Sequence, residues 1–229
     1  MKKNKFLVIV LTISIAISIG VYVNHHYFQN KLQKIFHSGV NEIEFAEKGL
    51  LRDGDLIFQT SGSNQSQAIQ LATGSKYSHC GIIYNLNGAY FVFEAIQPVT
   101  LTPLNKWIGR GEKGHYVVKR LKKADLILTP EVLQKMKQKG EEFKGKNYDL
   151  YFEWSDEKIY CSELIWKIYK HATGLEIGKL EQLKDFDLSN NVVKEKMKER
   201  YGEKIPLEEL VISPARIFHS DLLEIVKEN

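Results

Sequence analysis

In this 229-residue chain the strand-like segments cluster ahead of most helical ones, and that order restricts the fold more than any single motif. Residues 55–59 (DLIFQ) follow a turn at Arg52-Asp53-Gly54 and read as a first strand. Three further strand patterns occupy 79–84 (HCGIIY), 90–95 (YFVFEA) and 115–120 (HYVVKR). Between the last two lies a stretch read as a loop, with Pro98, Pro103 and Trp107. A short helix is expected from Gln65 to Ala72, capped by Ser63-Asn64 and closed by Gly74. Thr129-Pro130-Glu131 marks a strong helix start, with a cap, a first-turn proline and an acid at the positive end. That helix should run to about Phe143, a second from near Cys161 to Thr173, and a third from Asn191 to Arg200. Strands first and helices after predict an α+β fold with an antiparallel sheet.

The N-terminal part has a different character. Residues 6–23 (FLVIVLTISIAISIGVYV) carry no charge and would span about 27 Å as a helix, close to a bilayer core. The segment ends in a poor cleavage site, so 1–23 reads as an uncleaved membrane anchor, with a cleaved signal and secretion as second choice. Lys2, Lys3 and Lys5 should hold the N-terminus in the cytoplasm and place the remainder outside it, in the cell envelope. Residues 24–50 read as a spacer, with Phe28, Leu32, Ile35 and Phe36 at the spacing of a helical stem. Residues 51–229 are long enough for one domain with its own core.

The formal net charge is +4, with both signs interspersed and no basic block, which argues against a nucleic-acid partner. No two candidate ligands share a helical i,i+4 or Cys-x-x-Cys spacing, so neither a metal nor another cofactor is expected. The two cysteines, Cys80 and Cys161, allow at most one disulfide.

Chemistry is concentrated in the hairpin and the Cys161 helix. Asn85-Leu86-Asn87-Gly88 can close the hairpin as a two-residue or a four-residue turn. In the four-residue case His79 lies opposite Glu94; in the two-residue case Glu94 faces Gly81 and His79 is its diagonal neighbour. Both registers leave imidazole and carboxylate within reach. Cys80 points to the other face in either, which makes it the core cysteine, replaceable with little effect on rate. A carboxylate within FVFEAI is costly unless something pairs with it.

On the second helix Cys161, Leu164, Ile165, Ile168 and Ala172 form one stripe, with Cys161 at its N-terminal end. Free N–H groups and the macrodipole favour a thiolate there, and a neighbouring imidazole lowers a thiol pKa further. A cysteine on an apolar helix face is ordinarily packing. If the stripe packs on the hairpin, Cys161, His79 and Glu94 become nucleophile, base and orienter.

The segments GDLIFQ (54–59), QSQAIQLATGSKYSHCGIIY (65–84), YFVFEAIQPV (90–99), GKNYDLYFEWSDEKIYCSELIWKIY (145–169) and FDLSN (186–190) resemble the YiiX-type proteins. These are circularly permuted relatives of the NlpC-type, papain-like cysteine hydrolases, and the resemblance covers essentially all of 51–229. It implies a permuted papain-like fold in which the cysteine helix packs on an antiparallel, barrel-like sheet. By motif, His79 matches the family base, Cys161 the nucleophile and Glu94 the third polar position. Tyr148 in GKNYD resembles the active-site tyrosine, where a phenol can hydrogen-bond an oxyanion or substrate carbonyl.

The expected activity is hydrolysis of a peptide or N-acyl amide through a thioester, with N–H groups around Cys161-Ser162 holding the oxyanion. The expected partners are the membrane and an envelope substrate, either a cell-wall peptide or a lipid-linked amide or ester. The alternatives are a lipid-directed thiol acyltransferase or esterase, and a non-catalytic papain-like binding module. Tyr77, Trp107, Phe152 and Trp154 are candidates for lining a substrate groove.

Overall fold

The computed structural model describes residues 50–229, so the expected anchor and nearly all of the expected spacer lie outside the described residues. The first strand, β1 (Leu56–Gln59), is buried along its whole length. It is followed by α1 (Asn64–Thr73), where the Ser63 hydroxyl accepts the Ser66 N–H at 3.1 Å and Gly74 ends the helix at φ 62. Strands β2 (His79–Leu86) and β3 (Ala89–Glu94) then form the expected hairpin. Leu86 pairs with Ala89, and Asn87 and Gly88 take φ of 55 and 90 in a two-residue turn. Such a turn needs positive φ at both central positions, which Asn-Gly tolerates best.

The stretch read as a loop instead holds an edge strand, β4 (Thr100–Pro103), and a helix, α2 (Leu104–Gly109). Its prolines interrupt any long pattern, yet Pro103 only closes the strand and leads into the helix. Next come β5 (Val117–Leu121), the short α3 (Ala124–Ile127), and α4 (Pro130–Phe143), capped by Thr129. Helix α5 (Cys161–Thr173) starts at the cysteine and stops at Gly174, with φ 75. The remainder is β6 (Glu181–Gln182), α6 (Asn191–Tyr201), β7 (Leu210–Val211), α7 (Pro214–Phe218) and β8 (Leu223–Glu228).

Six strands form one antiparallel sheet in the order β4-β3-β2-β1-β5-β8, and β6 pairs with β7 separately. Among the described residues no hydrogen bonds join β4 to β8, so the sheet is open rather than closed into a barrel. Its two faces do different work. Leu56, Phe58, Cys80, Ile82, Tyr84 and Phe93 face a core shared with Met136 and Phe143 of α4 and Leu164, Ile165 and Ile168 of α5. His79, Gly81, Ile83 and Glu94 point the other way by strand alternation, toward the side where Trp107 of α2 lies against the His79 ring.

A second, smaller cluster of Leu183, Val193 and Met197 packs against Leu71 and Ala72, which fixes α6 on α1. Among the described residues no helix is long and apolar enough to cross a membrane.

Candidate active site

Tyr160, the residue before α5, is extended at φ −105 and ψ 166. Its N–H donates to the Glu163 carboxylate at 3.4 Å, and its phenol accepts the Ile212 N–H at 3.1 Å. The Ser162 hydroxyl donates to the Ile212 carbonyl at 2.7 Å. These bonds tie the start of the helix to the segment after β7 and hold Cys161 in the first turn. They also commit the Ser162 hydroxyl to structure, so only its backbone N–H remains for a substrate.

His79 is the first residue of β2, at the end of the sheet. Its Nε2 lies 2.6 Å from Glu94 Oε2. The register is the one in which Glu94 falls opposite Gly81, since Ile82 pairs with Phe93. Glu94 is fully buried, and its other oxygen accepts hydrogen bonds from the Thr102 hydroxyl and the Arg110 guanidinium. Trp107 stacks on the imidazole, with ring centroids 5.9 Å apart and planes 25° apart. Carboxylate on one side and indole on the other fix the ring, and Nδ1 is the nitrogen left for another partner.

That partner is Cys161, whose thiol interacts electrostatically with both Cys80 and His79. The meeting does not arise as expected. Helix α5 packs on the Cys80 face of the sheet, not the His79 face. Because His79 sits at the very end of its strand, the sulfur at the helix tip can touch residues of both faces. Cys80 is therefore a core residue and a neighbour of Cys161 at once, and both thiols are free.

The charges follow from these contacts. Hydrogen bonds from the Cys80 thiol lead the causes that hold the Cys161 thiol well below its ordinary range; burial opposes them, and His79 adds to them. Burial alone would push His79 down, but its bonds to Cys161 and Glu94 outweigh that and raise it to about 9. Burial works to raise Glu94, yet His79, Thr102 and Arg110 bring it below the usual carboxylate value. The Cys80 thiol is driven up, by burial first and then by the sulfur it donates to. The favoured state is a thiolate–imidazolium pair with an ionised carboxylate behind it.

Tyr148 stands beside this pair, its hydroxyl accepting from Gln65 Nε2 at 3.2 Å. Burial and the negative Cys161 push its phenol well up, so it stays protonated. Two cavities meet here, and Gln65, Ile69 and Tyr148 line both. One opens at Cys161 and Ser162 between α1 and α6, and is walled mainly by apolar side chains such as Ala68, Phe152, Val193 and Met197. The other opens at His79 and is the more polar of the two, with Ser61, Ser63, Ser66, Ser78 and Arg110 in its wall.

Of the four aromatic residues considered for a groove, only Phe152 lines the cavity at Cys161. Tyr77 is buried against Phe218, Trp107 backs His79, and Trp154 packs edge-on against Trp166. Sequence reasoning did not single out Gln65, Thr102 or Arg110. Among the described residues no three His, Cys, Asp or Glu side chains are grouped so as to hold a metal ion.

Comparison with known proteins shows the family. Residues 50–227 match the family described as permuted papain-like amidase enzyme, YaeF/YiiX, C92 family. The chain belongs to this family. Within the YaeF/YiiX family it is 50% identical over 173 residues to the uncharacterised protein YiiX of Escherichia coli strain K12, covering 76% of this chain and 84% of that one. A crystal structure described as metalloprotein yiiX from Escherichia coli O157:H7 superposes with a TM-score of 0.74 at 49% identity. It covers 78% of this chain and 97% of its own. As a YaeF/YiiX protein, the chain comes from an amidase family of papain-like type.

Proposed function

We propose that this chain is a cysteine amidase that cleaves an N-acyl or peptide bond through a thioester on Cys161. The observation that carries the reading is the His79 imidazole, whose Nε2 is 2.6 Å from a fully buried Glu94 and whose interaction with Cys161 draws the thiol pKa down. The thiolate attacks the carbonyl carbon, and the oxygen gains the charge near the first-turn N–H groups of Cys161 and Ser162 and the Tyr148 hydroxyl. As the carbon–nitrogen bond breaks, the His79 imidazolium gives its proton to the leaving amine. The neutral imidazole then takes a proton from water, whose oxygen displaces the thiolate and releases the carboxylic acid. Glu94 holds the ring and stabilises its charged form throughout.

The cavities support a direction for the substrate. His79 must reach the leaving nitrogen, so the amine belongs on the polar side and the acyl group in the apolar cavity. That cavity also favours a second reading, a lipid-directed thiol acyltransferase or esterase, in which an alcohol or amine replaces water in the second step. The YiiX relative is described as a metalloprotein. Among the described residues of this chain no three metal-ligating side chains are grouped, and the proposed chemistry uses only Cys161, His79 and their neighbours. Residues 1–23 support a position on the outer side of a membrane, in reach of cell-wall peptides and lipids.

Incubation of the protein with defined muropeptides and with N-acyl amides, with and without an added amine acceptor, tests the assignment. Wild type should release free amine from one set. Cys161→Ala should abolish turnover with its circular dichroism unchanged. Retained activity in that variant removes the mechanism, and acyl transfer outpacing hydrolysis establishes the second reading.

A further inference from the structure

One group in the wall of the apolar cavity is not explained by packing. Lys196 and Arg200 lie one turn apart on α6, and both line the cavity that Cys161 opens into. Lys196 is paired with Glu199 at 2.5 Å. Arg200 has no carboxylate within ion-pair distance among the described residues. Glu199 is engaged by Lys196, and Asp149 accepts the Tyr151 N–H at 2.8 Å, so both act on Arg200 only from farther away.

The guanidinium instead lies over Phe152, 4.9 Å from the ring centroid. Phe152 has φ 55, a left-handed conformation that an aromatic residue seldom adopts and that costs energy. Its ring is wedged edge-on against Tyr160 at 5.1 Å. The chain thus spends backbone strain to hold an aromatic ring beneath a partly buried cation, next to the nucleophile. A desolvated guanidinium without a counter-ion is unfavourable in the free protein, and an anionic ligand in the same cavity relieves it with charge-assisted hydrogen bonds.

We infer that Arg200 binds a negatively charged group on the acyl substrate, so that the preferred substrate is an anionic amphiphile. Its apolar chain lies against Ile69, Val193 and Met197, and its carboxylate or phosphate lies at Arg200. The inference rests on the cavity being the acyl seat of the proposed amidase. It names a specificity-determining residue and the class of molecule that residue selects.

Calorimetric titration of the full chain with decanoate, decyl phosphate and decanol, each below its micellar concentration, is the test. At least one anion should bind wild type about tenfold more tightly than decanol does. Preference for decanoate alone identifies a carboxylate, and for decyl phosphate alone a phosphate. Arg200→Met should bring the favoured anion down to the decanol level, and Arg200→Lys should restore part of the difference. Equal affinity of all three for wild type, which needs no variant to observe, overturns the inference. So does an undiminished preference in a folded Arg200→Met protein. Binding is read without turnover, so activity surviving in Cys161→Ala would remove the amidase mechanism and leave the anion preference standing.

Discussion

Three groups hold the Cys161 thiol pKa down: the Cys80 thiol first, then the His79 imidazole and the Cys80 backbone N–H. Papain-like chemistry needs the imidazole, and the other two come from a residue whose strand position marks it only as core. Strand alternation alone predicts that replacing Cys80 leaves the rate largely intact, whereas its interaction with Cys161 predicts a change in the nucleophile's pKa. Cys80→Ala removes the thiol donor while keeping the backbone donor and the imidazole. The Cys161 pKa should therefore rise toward the ordinary thiol range, and Cys80→Ser should hold it nearer the wild-type value. The pH dependence of iodoacetamide alkylation reads this directly, and superimposable profiles for wild type and Cys80→Ala would show that the second thiol contributes nothing. Arg110 and Thr102 act one step further back, by holding the carboxylate that holds the ring. Glu94 is inaccessible to solvent while the Arg110 side chain is 41% exposed, so the charge of the buried carboxylate is balanced from the surface.

Helix α5 carries a second buried carboxylate in its first turn. Glu163 is fully buried and holds the Tyr160 N–H, and Lys167 Nζ lies 2.8 Å from its Oε1. Burial nevertheless dominates and raises its pKa to about 8. A folded pKa raised above the unfolded value gives stability that is complete below about 4.5 and is lost as pH rises through about 8. His79 acts in the same direction between 6.5 and about 9, and the lowered Cys161 pKa acts against it. Glu163→Gln imitates the protonated carboxyl and keeps its acceptor oxygen. Its urea midpoint should fall less between pH 5 and pH 8 than that of wild type, and an equal fall in both would contradict the assignment.

The elements themselves were unevenly legible. The hairpin and helices α4 and α5 announce themselves because Asn-Gly, Thr-Pro-Glu and Gly174 fix their ends locally. Strand β4 and helix α2 hide among prolines in two four-to-six-residue pieces. Residues Thr102 and Arg110 are invisible for the same reason: their meeting with Glu94 depends on where those pieces land. The His79–Glu94 pair was readable from pairing arithmetic, but the side of the sheet that α5 covers was not. That choice is made by the whole apolar face from Leu56 to Phe93, not by the catalytic residues.

At the scale of the molecule, the sheet is completed by a strand far away in sequence. β5 at residues 117–121 pairs on one side with β1 and on the other with β8 at 223–228. β8 is an edge strand, with Ile225 57% exposed, but Leu223 is buried in the main core. Leu223→Ala should lower stability by about 2–5 kcal/mol, the usual cost of emptying a packed leucine site. A urea denaturation curve measures this, and a change within error would mean that β8 docks without contributing to the core. The long separation of β5 and β8 also has a consequence for synthesis. On the ribosome, every other strand of the main sheet and the nucleophile itself emerge before β8 exists, leaving one edge of β5 bare for about a hundred residues of translation. An unpaired strand edge invites intermolecular pairing, so the nascent chain is most exposed to aggregation while its catalytic parts are already made.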